Sequence, residues 1–491
     1  MLVDPSDMLR HQPRLVTPVR SEMKIEAAPS VDLVVRGGTV VTVGGSRQAD
    51  VAVAGGMIVA VEQAIAVGSA TREVDATGLL VLPGVIDVHT HTRIASDAEP
   101  DRFFQDSVAA AFGGTTTFLS FNNPGTGISA AAQGRLRDGI EEWLGRTHGD
   151  SAIDYGLSAV ITAQQDDPVA DLPAAVAKGI PTFKAFMVYD FGVDEAKLRQ
   201  LLAATRDLGA LLQVHCEDRA LLEAGIRGQL EQGRTAPAFH ADSRPTACEG
   251  TGTGRGLALA REVGAAIYAV HVSCAQALAP IAEAKRAGEP VFAETCPHYL
   301  ALDSTRYAVS DDEAIRCVIS PPLRDRADVD ALWGALADGT LDLVATDHVP
   351  DRLTMEKHYA GQAFPGISNG APGIETLLSV VYGKGVAEGR ITAERMIDLL
   401  STTPARLFGL GRKGSIETGK DADIVLFDPE AQRTLRADDL HHTSDYTPYE
   451  GMAMRGAVRD VLGRGEDVIR DGAFVGRRGF GRFQERRLDW R

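Results

Sequence analysis

Candidate metal ligands stand at the ends of separate apolar runs in this sequence. His89 and His91 form a His-x-His pair, and His215, His271 and Asp347 each close another run. Residues two apart on a β-strand point to the same side, so His89 and His91 can grip one ion. We expect Asp347 to join that ion, and His215 with His271 to hold a second. Imidazole and carboxylate ligands suit zinc, with iron, manganese or cobalt as alternatives.

Lys184 closes a further apolar run and has two interpretations from the residues alone. In the first, it is an ordinary ion-paired lysine near the rim of the fold. In the second, its neutral amine has taken up carbon dioxide, and the resulting carbamate bridges two metal ions as a carboxylate would. Burial beside cations favours the neutral amine that this reaction needs. The residue types leave both interpretations open.

The runs that carry these residues alternate with helical stretches between about residues 82 and 405. The strand-like run 182–187 precedes the helix-like 194–207, and 266–271 precedes 275–287. Such alternation predicts parallel βα units, and we expect them to close into a (β/α)8 barrel. Because the carboxyl ends of barrel strands converge on one face, the candidate ligands should meet there.

The two ends of the chain have a different texture from the middle. Short β-branched runs punctuated by glycine pairs fill 32–61, and similar runs return at 424–427 and 468–469. This pattern predicts hairpins rather than βα units. Two distant β-rich ends around a different middle predict one small β domain built from both termini.

Composition and charge indicate a globular protein whose partner is neither nucleic acid nor a membrane. The 491 residues are 24% charged and 44% hydrophobic, as in soluble globular proteins, and the net charge of −17 disfavours nucleic acid or an anionic membrane. The five cysteines include no CxxC pair, so we expect buried free thiols rather than disulfides or a zinc knuckle. No apolar run approaches the ~20 residues of a membrane helix, and residues 1–30 lack the apolar core of a secretory signal. We therefore expect a cytoplasmic protein.

Seven short motifs occur in order along the chain, over 83–91, 183–187, 270–273, 294–300, 320–324, 346–348 and 419–423. Together they resemble the motifs of one enzyme family, the cyclic amidohydrolases. Each motif alone is modestly specific, but the ordered set is highly specific. The family includes dihydropyrimidinase, hydantoinase, allantoinase and dihydroorotase, and the resemblance runs from about residue 32 to residue 485.

The resemblance implies an α/β architecture with a (β/α)8 barrel over residues 83–405. It implies a β-sandwich made from 31–82 and 406–491. Residues 1–30, which precede the resemblance and carry charges throughout, predict a flexible extension. It also implies two divalent metal ions, usually zinc. The implied ligand set is His89, His91 and Asp347 for one ion, His215 and His271 for the other, and N6-carboxylated Lys184 as the bridge.

The same resemblance implies a mechanism of ring opening. A metal-bridging hydroxide would attack a ring amide carbonyl, with Asp347 carrying the proton to the leaving nitrogen and Tyr189 helping to stabilise the oxyanion. The substrate would be a small cyclic amide and the product an N-carbamoyl amino acid. Relatives are often tetramers, so we expect a homotetramer or a homodimer.

The subfamily is suggested by three residues. Tyr189 lies five residues after Lys184, as the substrate-facing tyrosine does in dihydropyrimidinases and hydantoinases. Ser320 and Asn369 resemble the residues with which those enzymes hold the ring through backbone groups. The resemblance therefore predicts hydrolysis of a hydantoin or dihydropyrimidine ring.

Other residues depart from that subfamily. Arg93 follows His91 by two residues, like the carboxylate-binding arginine of dihydroorotases, and the pair at 122–123 could support it. The alternative for Arg93 is a salt bridge at the rim. His298, the run 183–187 and the triplet 346–348 lean towards allantoinases or dihydroorotases, which are the alternative activities. A non-catalytic, dihydropyrimidinase-related interaction protein is disfavoured, because such a scaffold has no reason to retain all six ligand-type residues.

Overall fold

Two β-sheets organise the chain in the computed structural model, which describes residues 31–66, 72–122, 133–359, 361 and 363–489. The predicted extension 1–30 lies outside the described residues. One sheet comes from the chain ends and is mostly antiparallel. Numbered in chain order, its strands are β1 (Leu33–Thr42), β2 (Gly45–Ala54), β3 (Met57–Glu62), β4 (Arg72–Asp75), β5 (Leu80–Pro83), β14 (Ile424–Thr434), β15 (Ala453–Gly463), β16 (Glu466–Arg470) and β17 (Ala473–Phe474).

The middle of the chain forms the second sheet, whose eight described strands are parallel and lie in chain order. These strands are β6 (Val85–Thr90), β7 (Thr115–Phe121), β8 (Asp154–Val160), β9 (Thr182–Phe186), β10 (Leu211–His215), β11 (Ile267–Ala269), β12 (Val291–Thr295) and β13 (Leu343–Val344). The predicted strand runs 182–187 and 266–271 thus contain β9 and β11.

Helices connect and flank these strands. The α-helices of the described residues are α1 (Arg102–Phe112), α2 (Leu136–Thr147), α3 (Pro168–Ala177), α4 (Glu195–Leu208), α5 (Arg219–Glu231), α6 (Phe239–Asp242), α7 (Thr246–Val263), α8 (Ala275–Arg286), α9 (Pro297–Ala301), α10 (Asp311–Arg316), α11 (Arg326–Asp338), α12 (Leu377–Val381), α13 (Ala393–Ile397) and α14 (Thr403–Leu407). Helix α4 begins where the Asp194 side chain accepts a bond from the Lys197 backbone N–H, and it ends at Gly209, which has φ of 68°. This cap pair is the usual way in which a sequence sets helix limits. None of the described helices combines the length and apolar character needed to span a bilayer.

The barrel closes between its first and last strands through short-range contacts rather than a full ladder. An isolated parallel bridge joins Thr90 to His348, and the His91 backbone N–H donates to the His348 carbonyl at 2.7 Å. The Thr346 hydroxyl donates to the buried Asp87 carboxylate at 2.5 Å. The predicted (β/α)8 barrel is therefore confirmed, with its closure made next to the candidate ligands.

The sheet from the chain ends confirms the predicted β domain built from both termini. Strand β1 pairs with β4 along its first half and with β5 along its second. The switch occurs at a bulge between Val35 and Gly38, where Gly37 has φ of 67°. A bulge of this kind bends a strand, so that its two halves can pair with different neighbouring strands. The exact domain limits, 31–82 with 406–491 against 83–405, remain a prediction.

Two apolar cores hold the barrel. One lies inside the barrel and includes Val88, Leu119 and Tyr268; the other lies between the strands and the outer helices. The C-terminal segment supports the barrel as well, since the fully buried Arg486 guanidinium donates to the carbonyl of Leu157 and to the Thr182 hydroxyl. Thr182 begins β9, so this contact lies at the end of the barrel where that strand starts, and the carboxyl ends are left for the site.

Candidate metal centre

The carboxyl ends of the barrel strands carry the six candidate ligands. His89 lies within β6 and Lys184 within β9, while His215 is the last residue of β10. His91 directly follows β6, and His271 and Asp347 follow β11 and β13 after short gaps. All six side chains are buried.

His89, His91 and Asp347 form the tighter group. The Asp347 Oδ1 atom lies 2.9 Å from His89 Nε2 and 3.1 Å from His91 Nε2. One ligand atom from each residue lies within 4.8 Å of the others, which is close enough for one ion. Lys184 joins this group, because its Nζ lies 3.4 Å from His89 Nε2.

His215 and His271 lie beside this group as a second pair. Their ring centroids are 4.6 Å apart, and the His271 ring is 5.6 Å from the His89 ring. The His271 Nδ1 is buried and has no hydrogen-bond partner among the described residues, as is also true of His91 Nδ1. The structure therefore brings all the predicted ligand residues into one cluster.

The electrostatics of the cluster suit cation binding. Burial lowers the pKa of His91 to about 4 and that of His271 well below its usual range, so both imidazoles are neutral near pH 7. Burial opposes ionisation of Asp347, but His89 and His91 outweigh it and hold the pKa of Asp347 well below its usual range. Burial also lowers the pKa of His215, whereas Glu294 and Asp347 outweigh burial at His89 and raise its pKa. Three neutral imidazoles and an ionised carboxylate are thus in the protonation states that bind zinc-like ions, and His89 would give up its proton on binding one.

Lys184 is electrostatically unusual among these residues. Burial lowers the pKa of its amine to about 8, against the opposing effect of Asp347. A substantial fraction of neutral amine is thus present at neutral to mildly alkaline pH. This is the form that can react with carbon dioxide, so the residue fits a bridging carbamate.

Two buried glutamates orient the histidines and were not assigned by the sequence reasoning. Glu294 contacts His89 Nδ1 and accepts a hydrogen bond from the Tyr268 hydroxyl at 2.6 Å. Glu217 lies 2.7 Å from His215 Nε2 and also pairs with Arg244. Carboxylates behind ligand histidines fix the ring orientation and leave the other ring nitrogen for a metal.

These two glutamates carried some signal in the sequence. Glu217 follows His215 by two residues, and Glu294 is the first residue of the motif at 294–300. Position alone could not distinguish them from ordinary acidic residues at the ends of strands.

Strained backbone marks the same region. His271 and Asp347 have φ of 41° and 49°, and Tyr189 has φ of 71°. Non-glycine residues rarely adopt this left-handed conformation, and it concentrates where a fold must aim a side chain. The strain aims two candidate ligands and the candidate catalytic tyrosine.

Three of the four predicted substrate residues, Tyr189, Ser320 and Asn369, lie together. The Ser320 hydroxyl donates to Asn369 Oδ1 at 2.8 Å, and Ser320 also hydrogen-bonds with the half-buried Tyr189 side chain. The Tyr189 ring is 5.4 Å from the His215 ring, between centroids, and 5.3 Å from the Phe191 ring. The Tyr189 phenol and the segments that carry Ser320 and Asn369 therefore lie beside the ligand cluster. The rings of Tyr189 and Phe191 pack against each other there.

Arg93 has a carboxylate partner within the protein. Its guanidinium pairs with Asp351, whose side chain is fully buried and also accepts a bond from the Ser368 hydroxyl. This is the salt-bridge arrangement that the sequence left as an alternative. The Asn122 amide oxygen accepts a bond from the Val160 backbone N–H at 2.7 Å rather than contacting Arg93, and Asn123 lies outside the described residues.

His298 lies in α9 and is buried. Its Nε2 has no hydrogen-bond partner in the described part of the chain, and its ring is 4.1 Å from the Tyr299 ring, between centroids. Burial lowers the pKa of His298 to about 4. It is a neutral histidine at neutral pH, outside the group formed by His89, His91 and Asp347.

Comparison with known proteins identifies relatives of this arrangement. The family model described as the amidohydrolase family matches residues 80–468. A D-hydantoinase from Geobacillus stearothermophilus is 39% identical over 458 residues, which cover 92% of this chain and 96% of the relative. The crystal structure of dihydropyrimidinase from Brevibacillus agri has a TM-score of 0.87 at 39% identity and covers 93% of this chain and 99% of its own. An L-hydantoinase structure from Arthrobacter aurescens has a TM-score of 0.84 at 27% identity, covering 92% and 99%.

The family match, the length of the shared sequence and the barrel-end ligand cluster agree with one another. The match spans most of the chain, from the end of the first β segment to the late strands. The chain therefore belongs to the amidohydrolase family.

Proposed function

We propose that this enzyme, a cyclic amide hydrolase, opens the ring of hydantoins or dihydropyrimidines to give N-carbamoyl amino acids. The observation that carries the proposal is the cluster of six ligand-type side chains, buried together at the carboxyl end of the barrel. The relatives named D-hydantoinase and dihydropyrimidinase support the substrate class.

The metal ligands follow from the donor set. His89, His91 and Asp347 would hold one divalent ion and His215 with His271 the second, with a carbamate on Lys184 between them. We propose zinc, because neutral imidazoles and carboxylates dominate the set. When bound, such ions polarise the substrate carbonyl and lower the pKa of water.

The chain's own residues then handle the proton and the developing charge. Asp347, which is ionised in this environment, accepts the proton of the attacking water and delivers it to the leaving ring nitrogen. Burial raises the pKa of Tyr189, which keeps its phenol protonated as a hydrogen-bond donor to the developing oxyanion. Backbone groups at Ser320 and Asn369 hold the ring.

The alternative substrates carry either a carboxylate or a ureido side chain, as in dihydroorotate and allantoin. The contact between Arg93 and Asp351 favours uncharged rings over dihydroorotate. A guanidinium that already pairs with a buried carboxylate would have to give up that partner to bind a substrate carboxylate. We therefore place dihydroorotase activity second.

A substrate panel tests the proposal. Purified enzyme supplied with zinc is assayed with D- and L-substituted hydantoins, dihydrouracil, allantoin and dihydroorotate. We expect hydantoins and dihydrouracil to be preferred, the D-hydantoins most strongly, since the D-hydantoinases are the more similar relatives. Arg93→Ala should leave the Michaelis constant for these rings within about threefold, because the side chain does not bind them. A preference for dihydroorotate that Arg93→Ala abolishes would replace the proposal with the alternative.

The assembly and compartment are further proposals. Relatives in the family are often tetramers, so we propose a homotetramer or a homodimer, which sedimentation at micromolar concentration would resolve. The cysteines Cys216, Cys248, Cys274, Cys296 and Cys317 are buried free thiols. Free thiols of this kind are typical of a reducing compartment and support the cytoplasm as its location.

A further inference from the structure

Lys357 is a fully buried lysine whose ammonium contacts three backbone carbonyls. Its Nζ donates to the carbonyl oxygens of Val318, Ser368 and Gly370, each at 2.8 Å. The side chain has no exposed surface. An ammonium has three N–H donors, so the three carbonyls use its hydrogen-bonding capacity completely.

The three carbonyls belong to the two segments that carry predicted substrate residues. Val318 lies two residues before Ser320, and Ser368 and Gly370 flank Asn369. The segments also contact each other directly, since the Gly370 backbone N–H donates to the Val318 carbonyl at 3.0 Å and Ser320 donates to Asn369. Lys357 therefore ties both segments to one point.

Burial of the Lys357 ammonium costs free energy, which indicates that this lysine does more than stabilise the fold. Burying an ammonium is unfavourable unless its charge is compensated, and here carbonyl dipoles rather than a hydrogen-bonded carboxylate supply the compensation. Burial lowers the pKa of Lys357 to about 8, against the opposing effect of Asp351. A neutral side chain that packed the same volume would avoid this cost but could not fix three carbonyls at once.

We propose that Lys357 is a positioning residue for substrate binding, which sets the relative placement of the backbone at Ser320 and Asn369. The inference rests on the proposed function, because these two segments matter as a pair only if they hold a ring. Lys357 touches neither the candidate ligands nor Tyr189 through any hydrogen bond that the structure describes. Its loss should therefore weaken substrate binding more than it slows the chemical step.

The test compares Lys357→Gln and Lys357→Met with the wild-type enzyme on the preferred hydantoin. The Gln side chain keeps two N–H donors and the Met side chain keeps none, so the two variants remove the hydrogen bonds to the three carbonyls in two steps. We expect KM to rise by about threefold for Gln and about tenfold or more for Met, because the three carbonyls lose the donor that they share and the two segments can shift. The turnover number should stay within about threefold and metal content should match the wild type.

Lys413→Met serves as a matched control. Lys413 is also a buried lysine, but it pairs with Asp154 and Asp423 at the end of the barrel where β8 begins, away from the site. We expect this variant to lower the melting temperature while the KM of its folded fraction stays at the wild-type value. If Lys357→Met does not fold, Lys357→Gln carries the comparison.

The outcomes separate the two proposals. An active wild type whose folded, metal-loaded Lys357 variants keep the wild-type KM would overturn the positioning role and leave the proposed function intact. Lowered melting temperature without a change in KM would overturn it too, since that is the signature of a purely structural lysine. A wild type inactive on every ring in the panel would overturn both proposals.

Discussion

Lys184 differs from the other buried lysines in what surrounds its amine. Lys413 faces aspartates and Lys357 faces three carbonyls, whereas the Lys184 amine lies 3.4 Å from His89 Nε2 and about 5 Å from two phenyl ring centroids. Asp347 and Glu294 compensate a Lys184 ammonium only in part, because burial still lowers its pKa to about 8, whereas two neighbouring cations would stabilise a carbamate. These surroundings support the proposed carbamate on Lys184 over an ion pair.

We expect Lys184→Ala to lose most bound metal and at least about a hundredfold in turnover, because two cations would share the site without their anionic bridge. Adding a short-chain carboxylic acid should restore part of both. Metal content and the rate with and without the acid are the measurements. Normal metal content and an unchanged rate in the variant would show that Lys184 is not the bridge.

The lowered pKa of Lys184 predicts a pH dependence for the proposed carbamylation of its amine. The pKa is lowered to about 8, so the neutral amine increases as pH rises towards and through that value. Metal loading of the stripped enzyme with zinc and bicarbonate should therefore be faster at about pH 8.5 than at about pH 6.5. Native mass spectrometry should show the carbon dioxide adduct appearing with the metals.

At the scale of elements, the contact between β6 and residues 346–348, which follow β13, has particular importance. Strand β13 spans two residues, and the barrel closes through side chains as well as backbone. The Thr346 hydroxyl donates to Asp87 and accepts a bond from the His348 backbone N–H at 3.1 Å. Because Asp347 lies between these residues, the same contact that closes the barrel also places a candidate ligand.

Thr346→Val should therefore lower both the melting temperature and the metal affinity, since it removes a hydroxyl with three buried partners, on Asp87, His89 and His348, while keeping the volume. Thr117→Val on β7 is the matched control. The Thr117 hydroxyl is buried and has no hydrogen-bond partner among the described residues, so its removal should be neutral or slightly stabilising. Equal effects of the two substitutions on melting temperature and metal affinity would refute a special role for this closure.

Across the whole molecule, buried histidines make the fold sensitive to acid. Burial lowers the pKa of His91, His298 and His442 to about 4 and that of His240 to about 3. In the unfolded chain these groups titrate near 6.5, so the unfolded state binds more protons between about pH 6.5 and 4. Their contribution to stability is present above about pH 6.5 and is lost as pH falls through this window.

The metal-free protein should therefore show a melting temperature that falls steadily from about pH 7 to about pH 5. His240→Gln should make the melting temperature depend less steeply on pH. It removes one titrating group and retains an N–H donor for the Ile319 carbonyl, which the histidine Nε2 contacts at 2.8 Å. Calorimetry across this pH range is the measurement, and a melting temperature independent of pH would contradict it.

Local patterns in the sequence were sufficient for the barrel and for the ligand residue types. The alternation of strands and helices depends on residue periodicity, and His89 with His91 share a side of a strand because of the two-residue repeat. Helix limits near 194–207 followed from short-range signals and agree with α4 to within a residue. These features depend on neighbours along the chain, so they can be read without the tertiary fold.

Contacts between distant residues were decided only by the tertiary structure. Glu294 contacts His89 across a separation of 205 residues in the sequence, and Asp351 contacts Arg93 across 258. The Val318 carbonyl accepts a bond from the Lys357 amine across 39 residues. No local pattern specifies which acidic side chain or carbonyl meets which cation, because that depends on how strands and loops pack. The sequence therefore determined what chemistry the barrel could hold. Packing determined which groups orient the candidate ligands, which arginine is already paired and which lysine ties the segments at Ser320 and Asn369 together.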